Sequence, residues 1–180
     1  MNWKIILIAV VILLSSNLYA KKVDGKTVPF HGVFSGYLLG FNEDPGAIAA
    51  RCHPPQGQVA WAVASFIAWG PATHLGETDM VADHCSYYPE GGLPVGEYGE
   101  GEFQLTADNG DILIGTYTNG VSIDPPPIVG FTEDSAFHDG GTGRFTFASG
   151  DAVDIGLFNT GDGSITIQMI GVIAYSKRQK

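Results

Sequence analysis

The densest run of chemically capable side chains is THLGETDMVADH, residues 73–84. On a regular strand successive side chains alternate between faces, so His74, Met80 and His84 fall on one side and Glu77, Asp79 and Asp83 on the other. A histidine facing an apolar cavity can shuttle a proton, and a half-buried carboxyl has its pKa raised toward neutrality. His74 and Glu77 are therefore candidate catalytic residues. The competing expectation is that His74 bonds a backbone group and the acids sit in water. Arg144 is a third candidate. In so acidic a chain it can orient an anionic ligand, or else it lies at a rim and pairs with nearby acids.

Arg144 sits in GGTGRFTFASGD (140–151), whose glycines raise the question of a phosphate loop. Such a loop needs a helix behind it to aim amides and dipole at the anion. Here the glycines lead instead into Phe145 and Phe147 at alternate positions, which predicts a strand entering a tight sheet. Metal chemistry finds no support in spacing. His31, His53, His74, His84 and His138 form no i, i+2 or i, i+4 pair, and the turns DNGD and TGDGS lack a calcium loop's length and closing glutamate. No metal and no cofactor is expected. A nucleophile elbow, G-x-S-x-G, is also missing.

The elements that must position these residues are strands. Twenty-five glycines and ten prolines interrupt nearly every window long enough for a helix. Apolar residues instead recur with a period of two over short runs. Strands are predicted at 30–40, 58–69, 73–84, 101–107, 111–118, 143–148, 152–158 and 164–175. Asp108-Asn109-Gly110 marks a hairpin between the fourth and fifth. GEGEFQLTADNGDILIGTY (99–117) and GTGRFTFASGDAVDIGLF (141–158) form a weak repeat, read as two hairpins of one kind. About eight antiparallel strands in hairpin order bury their edges best by closing into a barrel, so the predicted fold is an all-β antiparallel barrel.

An eight-stranded barrel is either filled by side chains or wide enough for one small ligand. The strand at 58–69 alternates Trp61, Val63, Ser65, Ile67 and Trp69 with Ala60, Ala62, Ala64, Phe66 and Ala68. Both faces are apolar, which predicts burial on both, the outer one under a loop or another subunit. Trp61, Trp69, His74 and Tyr117 are the candidate pocket residues, with a plain packed core as the alternative.

Gly140, Gly141, Thr142, Gly143 and Phe145, with Gly150 after them, match a G-G-[TS]-G-x-F pattern. In this the chain resembles the superfamily of allene oxide cyclases and dirigent proteins. HLGETD and GEGEFQLTADNGD are similar to segments of its bacterial secreted, allene-oxide-cyclase-barrel-like members. The resemblance spans roughly residues 70–175 and implies a cavity-bearing eight-stranded barrel, often trimeric. It carries over no active site, because the cyclase's catalytic acid and the dirigent pocket acids have no clear counterparts here.

Lys4, the apolar run Ile5–Leu14 and the polar break before Leu18-Tyr19-Ala20 predict a signal peptide over residues 1–20. The alternative, an uncleaved anchor, is disfavoured by the shortness of the run. An N-terminal extension (21–29), a barrel domain (30–176) and a basic tail (177–180) follow, and a secreted or periplasmic location is expected. Cys52 and Cys85 are the two cysteines of the chain, predicted to pair as a disulfide in that compartment, with two buried thiols as the alternative. The net charge is −10, and between Thr27 and Ser176 only Arg51 and Arg144 are cationic. That surface disfavours nucleic acid and, once the signal is cleaved, membranes as partners. Two functions are expected: a barrel that binds a small apolar molecule or serves as a structural or interaction module, or a cyclase- or isomerase-type enzyme. Such an enzyme steers a reactive small molecule by shape with few polar groups.

Overall fold

The computed structural model describes residues 26–91, 97–122 and 126–176. The expected signal peptide, residues 21–25 of the extension and the basic tail lie outside the described residues. Eight strands form a closed antiparallel barrel: β1 (Val28–Asn42), β2 (Gln58–Ala72), β3 (Gly76–Pro89), β4 (Glu97–Thr106), β5 (Ile112–Ser122), β6 (Ile128–His138), β7 (Ser149–Asn159) and β8 (Ser164–Ala174). Each pairs with the next in sequence, and β8 closes on β1 from Val28↔Ile173 to Tyr37↔Ser164.

A short helix, α1 (Pro45–Arg51), joins β1 to β2, between the strands predicted at 30–40 and 58–69. Its start follows from local chemistry. The Asp44 carboxylate accepts a hydrogen bond from Ala47 N at 2.8 Å, and Pro45 needs no amide partner at the first helical position. Ile48 packs against Val63, Tyr87 and the Cys52–Cys85 disulfide, whose Cα atoms are 5.7 Å apart. The helix thus covers part of the outer side of β2, which the doubly apolar pattern had predicted to need a cover.

Two strand assignments differ from the sequence expectation. Residues 143–148 are not a strand: Gly143–Phe145 is a 3₁₀ turn, and β7 begins at Ser149. Gly143 has φ +55°, and the Asp111 carboxylate occupies the space a Cβ would need. Arg144 N then points to Asp111 Oδ2, 3.5 Å away, instead of into a ladder. The second member of the weak repeat is therefore no hairpin of the first kind. The eighth strand is β6, over a segment with no strand pattern to the eye. Its inner face interleaves Phe131 and Phe137 with buried Glu133 and Ser135, which erases the apolar alternation.

The interior is unequal at its two ends. Where the β2–β3, β4–β5 and β6–β7 turns gather, Phe30, Phe34, Leu75, Leu105, Leu113, Phe145, Met169 and Ile173 fill the lumen almost without exposure. Phe30 and Phe137 stack edge-to-face with centroids 4.7 Å apart. Phe145, brought inward by the glycine-rich turn, closes this floor. The glycines of GGTGRFTFASGD thus serve the closure of a barrel end.

Candidate functional site

The opposite half of the barrel is hollow. A cavity of about 230 Å³ is lined by residues from all eight strands, with Phe41, Trp61, Phe66, Phe131 and Phe158 giving most of its walls an aromatic character. Its polar lining includes His84, Ser86, Glu97, Tyr98, Tyr117, Ser122 and Glu133. An engineered cavity of about 150 Å³ admits benzene, so this space suits a single ring with a short substituent.

Strand alternation delivers the polar groups. On β3, Met80, Ala82, His84 and Ser86 succeed one another at every second position, so the run that lines the floor at Met80 brings His84 to the cavity. His84 Nδ1 hydrogen-bonds the Tyr117 hydroxyl at 3.0 Å, and its ring stacks on Tyr98 with centroids 4.3 Å apart. Burial among these rings, with the positive charge of Arg51 as a second cause, pushes the imidazole pKa down to about 3. His84 is therefore neutral at every physiological pH, a hydrogen-bonding group with no charge.

Glu133 of β6 and Asp154 of β7 are opposite one another in the ladder, and both are buried. Two like charges directly opposed on adjacent strands repel, so the arrangement is stable only if a proton is held between them. Burial and the neighbouring Asp154 charge raise Glu133 to about 8. Burial raises Asp154 to about 6, against the lowering effect of hydrogen bonds from Ser135 and Glu133. Ser135 Oγ donates to Asp154 Oδ2 at 2.6 Å. Asp154 Oδ1 is sealed from solvent, and no N–H or hydroxyl among the described residues reaches it. Glu133 hydrogen-bonds the Asp154 carboxyl, and the proton it carries is the donor in that contact. Tyr98 donates to Glu133 in turn, and both burial and this carboxyl hold its phenol far above the usual range. At neutral pH the pair thus carries one proton and one negative charge.

The candidates from sequence are distributed unevenly. Trp61 and Tyr117 line the cavity. Trp61 does so because β2 carries an irregularity between Ala60 and Ala62, which turns it inward beside the Phe66 face. Trp69 therefore does not share its side: it stands on the outer wall, 49% exposed, against Tyr37. His74 is outside the cavity as well. It occupies the β2–β3 turn with φ +68°, and its Nε2 hydrogen-bonds Pro29 O at 2.9 Å. Glu77 is exposed on the outer face of β3. Arg144 lies at the filled end, where it donates to His74 O, approaches Asp111 Oδ2 at 3.7 Å and covers the Phe145 ring at 4.9 Å. Among the described residues no group of three His, Cys, Asp or Glu is placed to hold a metal.

Glu133, Asp154 and Tyr98 were not singled out from sequence. The available signal was Glu133 and Ser135 at alternate positions of one segment, which reads as a polar loop until the barrel's inner face is known. Comparison with known protein families, with curated proteins and with solved structures finds no match to this chain.

Proposed function

We propose that this chain is an exported barrel that binds a small, mostly apolar molecule in the hollow half of its lumen. One observation carries the reading: a filled floor and an aromatic-walled cavity coexist in one barrel, with a few convergent polar groups on the cavity wall, as ligand sites require. The disulfide supports an oxidising compartment and hence the signal-peptide reading. The allene oxide cyclase and dirigent resemblance supports a cavity-bearing barrel. Exposed apolar side chains on the outer faces of β7, β8 and β1, among them Leu39, Ile155, Leu157 and Ile170, support self-association into a homo-oligomer, which sedimentation velocity tests.

Native mass spectrometry of the domain beginning at Lys21, purified from two unrelated hosts, tests the binding reading. A small molecule that co-purifies and is lost on denaturation is the expected result. Protein that emerges bare, and whose tryptophan fluorescence in the Trp69→Phe variant is indifferent to small aromatic probes, would overturn it.

A second reading, a cyclase or isomerase, is favoured by the Glu133–Asp154 pair. A carboxyl that still holds its proton near neutrality, beside an ionised partner, can donate and recover a proton at a bound molecule. Glu133 lines the cavity and is the donor in this reading, with Asp154 tuning it. Conversion of a bound molecule by the native chain but not by Glu133→Gln separates catalysis from storage.

A further inference from the structure

The charge balance of the cavity narrows its ligand. Its lining contains Glu97 and Glu133 and no Lys or Arg. The sequence leaves only two cations between Thr27 and Ser176. Arg144 is spent on the closed end, and Arg51 sits at the wall on the Asp83 carboxylate, with Nη1 3.1 Å from Cys85 Sγ. An anionic ligand would enter an aromatic, low-dielectric space already holding a negative charge, with no partner for its own. Trp61, Phe66, Tyr98, Phe131 and Phe158 line the space instead, and aromatic rings gathered about one site recognise organic cations. Behind that wall the buried Asp154 carboxylate has hydrogen bonds from Ser135 and Glu133 and no cation among the residues lining the cavity.

Resting on the binding reading above, we propose that the barrel takes a monocationic amphiphile: a substituted ammonium carried on one apolar ring or short chain. The aromatic walls hold the body, and the ammonium faces Glu133. The cation takes over the electrostatic role of the proton shared with Asp154. When it binds to the half-protonated pair, the Glu133 proton is displaced to solvent and no bond is made or broken in the ligand. Asp154 from β7, Tyr98 from β4 and Tyr117 from β5 face Glu133, His84 from β3 packs on the two tyrosines, Glu97 of β4 lies elsewhere on the lining, and Arg51, Asp83 and Asp134 are farther out at the wall. Of the facing groups only the carboxyl pair changes charge between pH 5 and 8.

Isothermal titration of the full domain with three single-ring probes tests this: benzyltrimethylammonium, its uncharged isostere neopentylbenzene, and the anion 3-phenylpropanoate. At pH 8 the ammonium is expected to bind at least about tenfold tighter than the isostere, with the carboxylate weakest. That preference should shrink toward pH 5, as the pair becomes neutral. Titrations at pH 7 in buffers of different ionisation heat should report proton release with the ammonium alone. The double variant Glu133→Gln/Asp154→Asn should weaken the preference, leaving the part owed to the rings and Glu97, while still binding neopentylbenzene. Should it fail to fold, the wild-type pH profile and proton count decide. Equal binding of ammonium and isostere at all pH values, or tightest binding of the carboxylate, overturns the cation assignment and leaves the binding cavity standing. Failure of all three probes to bind overturns both.

Discussion

Tyr117 reaches His84 because Gly101 leaves it room. The phenol lies with its hydroxyl 3.0 Å from His84 Nδ1, and its ring covers the Gly101 Cα so closely that any Cβ there would overlap the ring carbons. A glycine on β4 therefore fixes a hydrogen bond between β5 and β3. Gly101→Ala is expected to cost about 1–3 kcal/mol through overpacking and to break this pair. The check is a denaturation midpoint together with the His84 imidazole resonances. A destabilised variant with unchanged His84 shifts would contradict the packing argument.

The Glu133–Asp154 pair makes stability depend on pH in an unusual sense. Glu133 keeps its proton in the folded chain up to about pH 8, whereas the unfolded chain loses it near 4.5. A folded-state pKa above the unfolded one contributes stability at low pH that is lost as pH rises through the folded value. His84 has the opposite sign, but its effect is confined below about pH 6.5, where the unfolded imidazole starts to charge. Between pH 6.5 and 8 the carboxyl alone acts, and the loss should be about 1–2 kcal/mol. Urea titrations at the two pH values measure it, and Glu133→Gln should flatten the slope. A wild-type midpoint that rises over this interval would refute the assignment.

Cys52 and Cys85, 33 positions apart, close a loop that contains β2, and Cys52 caps the end of α1. In the chain-entropy account the disulfide should contribute about 3–4 kcal/mol. The double variant Cys52→Ala/Cys85→Ala is expected to lose that much in a denaturant titration. The loss should be greatest near the cavity mouth, where Val63 and Tyr87 pack on the same cluster. Amide hydrogen exchange localises it.

Arg144 serves the closed end. It ties His74 O to Asp111 and lies over Phe145 and Tyr175, 4.9 and 5.9 Å from their ring centroids. Arg144→Met should therefore cost about 1–3 kcal/mol, from lost charge-assisted hydrogen bonds and an unpaired Asp111. Binding of any probe in the cavity should be unchanged, because the filled half of the lumen lies between. Altered affinity without altered stability would return Arg144 to the list of ligand-binding residues.

Much of this was legible along the chain because its physical cause is local. Period-two apolar runs, turn glycines and the Asn109-Gly110 hairpin dictate antiparallel strands whatever lies across the barrel, and about eight such strands close on themselves. The two cysteines of the chain had only each other to pair with, as they do. Where a local rule was broken, the strand disappeared from view. Buried Glu133 and Ser135 made β6 look like a loop, and two phenylalanines at alternate positions made a 3₁₀ turn look like a strand.

The cavity belongs to the tertiary structure. Alternation says that His84 and Met80 share a face, but which face is inner depends on all eight strands. Trp61 joins the cavity through one irregularity in β2 that the pattern does not encode. Glu133 and Asp154 are 21 positions apart, and only the β6–β7 register sets them opposite each other. Their shared proton has no sequence signature, since a carboxyl's pKa is set by what surrounds it. The sequence determined that strands would form and where the cysteines and charges lie. Closure of the barrel decided which acids left water, and with them what chemistry this protein can do.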